Sequence, residues 1–180
     1  MTPITPEAQK LAKTDLHAAG LRMTAARVKV LAALLSARHA LSHQDIQAVA
    51  DLDRVTLYRA LASLTDAGLA HKIAGDDRIS RYGAMSKQDK GAAAHHSSPH
   101  HGSRRHSHGH FQCTRCMRIF CLDQNRETGL LEDLFLLAEE NNCDSRPEPL
   151  QTLLERTLGD GFQSHDIELI VKGWCADCAR

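Results

Sequence analysis

The chain has 180 residues, enough for one large domain or two small ones, and its acidic and basic residues balance. A hydrophobic content of 42% supports packed cores, but no apolar run nears the ~20 residues that a membrane helix needs. No basic-then-apolar leader opens the chain, since Pro3 and Glu7 interrupt any candidate, so the expected compartment is the cytoplasm. The charge is unevenly spread. Residues 1–90 carry 13 Lys and Arg against 9 Asp and Glu, and residues 91–180 carry 9 against 13. A basic front half joined to an acidic back half fits a nucleic-acid reader coupled to something else, although chance also produces an excess of this size. The chain holds 6 Cys and 12 His, and in a reducing compartment closely spaced cysteines are metal ligands more often than disulfides.

Residues Pro6 to Ala19 are compatible with a helix that Gly20 ends. Thr24 is placed to cap a second helix running to Ser36, with Val28, Leu31 and Leu35 on one face. Ser42 caps a third, with Asp45 near its positive end and Ile46, Val49 and Ala50 as apolar positions. A fourth runs from Arg54 to Ala67, and Gly68 suits the left-handed cap beyond it. Leu57, Leu61 and Leu64 line its inner face, which turns Arg59, Ser63 and Asp66 outward and Tyr58 to the side. Leu69 to Ala74, the polar turn Gly75-Asp76-Asp77, and Arg78 to Gly83 read as a β-hairpin. Helices followed by a hairpin make a winged helix-turn-helix, a DNA-binding plan. Within the first strand His71 alternates with Leu69 and Ile73, so it faces inward, as a hydrogen-bonded core histidine or as a metal ligand.

Residues 86–105 lose apolar periodicity and read as a flexible linker. Its His95, His96, His100 and His101 either gather zinc loosely or form a solvated tract. Beyond it, His110 to Leu122 reads as strand with a metal knuckle. Glu127 to Asn142 and Pro147 to Leu158 read as helices, and His165 to Gly173 as a strand. The expected fold is α+β: a winged-helix domain over 1–85, the linker over 86–105, and an α/β domain over 106–180.

Cys113-x-x-Cys116 and Cys175-x-x-Cys178 have zinc-knuckle spacing. Two residues between thiolates let both sulfurs aim at one ion from a tight turn, and two such pairs close a tetrahedral shell. A closed shell is structural, and here it ties the start of a domain to its end; disulfides and chance spacing are the alternatives. His106, His108 and His110 alternate just before Cys113, so on a strand their imidazoles share a side; a polar end to the linker is the other reading. Cys121 is either a buried inert thiol or a soft ligand to this second group, and Cys143 reads as the former. A zinc hydrolase or deaminase needs an open position with a neighbouring general base, and neither H-E-x-x-H nor H-x-E followed by P-C-x-x-C occurs, so no enzyme is expected.

Four stretches resemble the ferric uptake regulator family. They are Ala19-Gly20-Leu21-Arg22-Met23-Thr24-Ala25-Ala26-Arg27, Arg54-Val55-Thr56-Leu57-Tyr58-Arg59-Ala60-Leu61, His108-x-His110-Phe111-Gln112-Cys113-x-x-Cys116, and Cys175-x-x-Cys178. The resemblance implies a homodimer that binds double-stranded operator DNA and takes no small-molecule substrate but metal. It implies one structural zinc ion per chain at Cys113, Cys116, Cys175 and Cys178, and at least one regulatory zinc ion drawing on His71, His106, His108, His110 and Cys121. The second stretch is similar to the family's recognition helix, which implies DNA contacts by Arg54, Thr56, Tyr58 and Arg59, with Arg27 on a phosphate. The donors favour the zinc-responsive branch, a repressor of zinc-uptake genes, over an iron or peroxide sensor; a zinc store or chaperone is the rival outside the family. The chain departs from the family at Tyr82-Gly83, where a Glu or Cys is usual, and at Met117, where a glycine is usual. The family's further histidine and acidic ligand fit His165 and Glu127 only with a shifted register.

Overall fold

The computed structural model describes residues 3–85, 109–122, 156–159, 161 and 169–180. The expected linker, the helix over 127–142 and the residues His106, His108, Glu127, Cys143 and His165 lie outside them. Residues 156–158, within the second expected helix, are helical.

Helix α1 spans Pro6–Ala18 and starts where Thr5 caps it, its hydroxyl accepting from Ala8 N at 3.1 Å, with proline at the first turn. Ala8, Ala12 and Leu16 repeat every four residues, so one stripe is buried. Helix α2, Ala25–Ser36, begins at the Thr24 cap. The single apolar face expected for it is too narrow: Val30 through Leu34 are all buried, and Val28 and Leu35 pack partly against the core. The reason is position, because α1, α3 and α4 all pack against α2. Helix α3, His43–Ala50, opens with a capping box in which Asp45 N donates to Ser42 Oγ and Ser42 N donates to Asp45 Oδ2. Helix α4, Arg54–Asp66, is capped by Asp53 and buries Leu57, Ala60, Leu61 and Leu64.

Strand β1, Leu41–Ser42, immediately precedes α3 and pairs with the wing. At two residues it is too short for any periodicity to announce it. The wing strands are β2, Ala70–Ala74, and β3, Ser80–Ala84, in a sheet ordered β1-β3-β2. The second wing strand starts two residues later than the sequence suggests, because Arg78 takes a left-handed conformation (φ 62°) within the turn. Arg81 donates to both carboxylate oxygens of Asp77 at 2.6 and 2.9 Å and braces that turn.

A second sheet has the order β5-β4-β6, from β4 (Gly109–Cys113), β5 (Ile119–Cys121) and β6 (Leu169–Gly173). β4 pairs antiparallel with β5 and parallel with β6. The two sheets meet. Ala40 N donates to Ile119 O at 2.7 Å, Ala40, Ile73 and Ile119 bury one another, and Lys172 reaches Asp76 in the wing turn at 2.7 Å. Among the described residues no helix is long and apolar enough to cross a membrane.

Candidate metal centres

The two cysteine pairs come together. β4 and β6 run side by side in the same direction, so both enter their turns at one end of the sheet. Cys113, Cys116, Cys175 and Cys178 then lie with their sulfurs within 4.8 Å of one another, and Cys116 and Cys175 are 3.7 Å apart. A tetrahedral zinc shell with Zn–S near 2.3 Å requires sulfurs roughly 3.8 Å apart, so the donor set fits. Backbone supports the cluster: Cys175 N donates to Cys113 Sγ at 3.4 Å and Thr114 N donates to Gly173 O at 2.8 Å. The N–H groups of Cys116 and Cys175 hold the Cys113 thiol down at about 6. The Cys175 sulfur beside Cys178, with burial, pushes that thiol up to about 12. Four such thiols resist ionising together, and a divalent cation at their centre removes the penalty. Around the knuckle Arg118 pairs with Asp177 at 2.7 Å, and Arg115 stacks 3.8 Å from the centre of the Trp174 ring.

A second cluster lies where the two sheets face each other. In the β4–β5 ladder His110 stands opposite Cys121; in the β2–β3 ladder His71 stands opposite Gly83. Opposite residues of an antiparallel pair share a face. His71 Nε2 lies 3.2 Å from His110 Nε2 and 3.6 Å from Cys121 Sγ. Zinc–nitrogen bonds near 2.05 Å require roughly 3.3 Å between two nitrogens and roughly 3.5 Å between nitrogen and sulfur, so these residues also fit a tetrahedral ion. Both histidines are buried and Cys121 is half-buried. Of the residues expected here, His71, His110 and Cys121 converge, while His106 and His108 lie outside the described residues. His71 faces inward, as its alternation with Leu69 and Ile73 indicates, and its neighbours are the other two donors.

The DNA-binding candidates surround the start of α4. Tyr58 and Arg59 are exposed; Arg54 sits over the Tyr58 ring at 5.5 Å and its guanidinium approaches the phenol oxygen at 3.4 Å. Thr56 is half-buried, and its N–H is held by the Asp53 cap. Arg27 donates to the Arg22 carbonyl at 2.7 Å, which holds its guanidinium against the loop before α2. Sequence reasoning missed His43. Its ring lies 4.3 Å from that of Tyr58 and 5.0 Å from that of Tyr82, joining the exposed helix to the wing. Burial, then Lys72 and Arg54, lower its pKa, so it stays neutral at neutral pH. Only an unexplained polar residue at the first position of α3 hinted at it.

A winged helix-turn-helix with a four-thiol knuckle and a histidine–cysteine cluster between its two sheets is the architecture these residues define. No protein-family model matches the chain, and no curated protein matches its sequence. Solved structures do match. A zinc uptake regulator complexed with zinc and DNA has a TM-score of 0.55 at 21% identity, covering 96% of this chain and 93% of that one. Holo XcZur has a TM-score of 0.53 at 22% identity, covering 97% and 99%. The ferric uptake regulator from Francisella tularensis with iron has a TM-score of 0.51 at 16% identity, covering 89% and 96%. The fold is that of the ferric uptake regulator structures, the zinc uptake regulators among them.

Proposed function

We propose that the chain is a zinc-responsive transcriptional repressor that binds operator DNA as a metal-loaded homodimer and controls zinc-uptake genes. The observation that carries this reading is the meeting of His71, from the wing, with His110 and Cys121, from the second sheet. A cation there would be held by both domains at once. Two imidazoles and a thiol are a softer set than the oxygen-rich sites that suit magnesium, calcium or manganese, which favours zinc. The four-cysteine cluster, with no position left open, would be structural.

In this reading α4 enters the major groove. Arg59 donates to a guanine edge, worth about 1–3 kcal/mol of discrimination. Tyr58, steadied by His43 and Arg54, contacts a thymine methyl or a phosphate, and Arg54 and Arg27 contact phosphates, which position without specifying. His71 ties the wing to the second sheet, so the reading heads of a dimer keep one separation. A bound divalent ion supplies the attraction that stabilises this arrangement, and by linkage DNA binding then tightens metal binding equally. The test is operator selection from a random duplex library with the zinc-loaded chain, followed by zinc titration. Affinity should rise with zinc by roughly 5- to 150-fold, the usual range of such coupling; affinity indifferent to zinc, or raised only by iron or manganese, refutes the reading.

A further inference from the structure

The chain contains 2 tyrosines, and both touch His43. Their surroundings differ: Tyr82 lies in the wing at 8% exposure, whereas Tyr58 projects from α4 at 42%. His43 stands between them because β1 pairs with β3. Leu41 lies opposite Tyr82 and Ser42 opposite Arg81, so the chain enters α3 beside the Tyr82 ring. The capping box at Ser42 fixes the direction in which α3 then starts, and His43 is its first residue. The imidazole meets Tyr82 edge to face, with centres 5.0 Å apart and planes at 77°, and lies nearer to parallel with Tyr58, at 4.3 Å and 36°. Its Nε2 is buried with no hydrogen-bond partner among the described residues, which costs stability. Ring contacts, and not a bond at this nitrogen, therefore hold the imidazole in place.

We propose that His43 is a positioning residue for DNA reading: its ring, backed by Tyr82, holds the exposed Tyr58 ring in the orientation that meets the duplex. This deepens the reading of α4 given above and rests on it. An exposed tyrosine on a helix samples several rotamers, and fixing one of them at the moment of binding costs affinity. His43 removes much of that cost beforehand, and Arg54, one turn earlier on α4, adds a second contact 5.5 Å from the ring centre. Tyr82 is a firm backing, because it is buried and its strand is paired on both sides, to Leu41 in β1 and Lys72 in β2. His43 thus acts through Tyr58 and not by a contact of its own with DNA.

The experiment uses the full zinc-loaded chain with carbon-13 in its tyrosine rings, and an operator selected from a random duplex library. His43→Ala should move the Tyr58 NMR signal toward that of a free tyrosine, as the ring current of the imidazole is lost. The same substitution should weaken operator binding roughly 2- to 10-fold. His43→Phe, which restores an aromatic face, should bind as the wild type does. Tyr58→Ala should itself bind more weakly, and adding His43→Ala to it should cost nothing further, whereas a residue needed only for the fold would cost the same in both backgrounds. Should His43→Ala unfold, His43→Leu, which fills the space without an aromatic face, replaces it in each comparison. A Tyr58 signal unmoved by loss of the ring, wild-type affinity in a folded chain lacking it, no rescue by phenylalanine, or an undiminished loss in the Tyr58→Ala background each overturns the positioning role. Wild-type affinity in Tyr58→Ala overturns it together with the reading of α4 beneath it.

Discussion

His71 and His110 hold their Nε2 atoms 3.2 Å apart although 39 residues separate them in the chain. One imidazole lies in the wing and the other on the central strand of the second sheet, so the pair reports directly on how the two sheets meet. Two ring nitrogens at that distance suit the spacing of a single tetrahedral cation, which would hold the wing against the second sheet.

Replacing His71 by Ala should therefore uncouple zinc from DNA. The variant should keep the zinc ion of the four cysteines and its secondary structure, and should lose the rise in operator affinity that zinc brings. Zinc should also stop raising its melting temperature; in the wild type, free zinc at 100 times its Kd should add about 2.7 kcal/mol. Mobility shift and calorimetry with and without zinc check both statements.

Cys175→Ser should unfold one sheet and spare the other. The thiol is buried beside Cys116 and its backbone N–H supports Cys113, so its loss opens the closed shell. Amide exchange should accelerate by orders of magnitude in β4 and β6 and remain slow in α2 and α4, whose core is independent of the cluster. A strong chelator acting on the wild-type chain should reproduce the pattern.

Met117 carries a φ of 59°, in a region that costs a non-glycine residue of order 1–3 kcal/mol. Met117→Gly should relieve it, and part of the gain is returned through the freer unfolded chain. The expected net stabilisation is about 1 kcal/mol, measured by denaturant unfolding of the zinc-loaded protein; an unchanged or lower midpoint contradicts it.

The wing turn should show its own acid sensitivity. The Arg81 guanidinium holds the Asp77 carboxyl down from 3.8 to about 2. A carboxylate depressed by folding contributes stability that is fully present above its unfolded value, and loses it as pH falls through the folded one. Wild type minus Asp77→Asn should thus show a constant stability difference above pH of about 5, shrinking toward zero as pH falls toward about 2. Urea midpoints for the two chains across that range measure it.

Local chemistry made much of this readable in the amino acids. Thr24, Ser42 and the Leu57, Leu61 and Leu64 stripe mark helices because capping and burial act within a few residues. The cysteine spacing indicates a shared ion whatever the fold around it. The meeting of His71 with His110 was open as a possibility only, since it depends on how two sheets dock. Cys121 could have been placed from its hairpin register: the tight turn of Cys113 to Ile119 sets it opposite His110. β1 and the His43 ring stack depend on tertiary contacts that no periodicity encodes.

β4 and β6 have no hairpin between them to fix how they line up, and parallel neighbours are prone to sliding when nothing at their ends stops them. Cys113 lies level with Gly173, two residues before Cys175, so both strands deliver their sulfurs at the same height. Sliding β6 by a single step would turn its side chains over and pull its pair out of line with the other. The sulfurs thus work as a clasp that closes in only one alignment, and chain segments 59 residues apart cannot mate wrongly without leaving it undone.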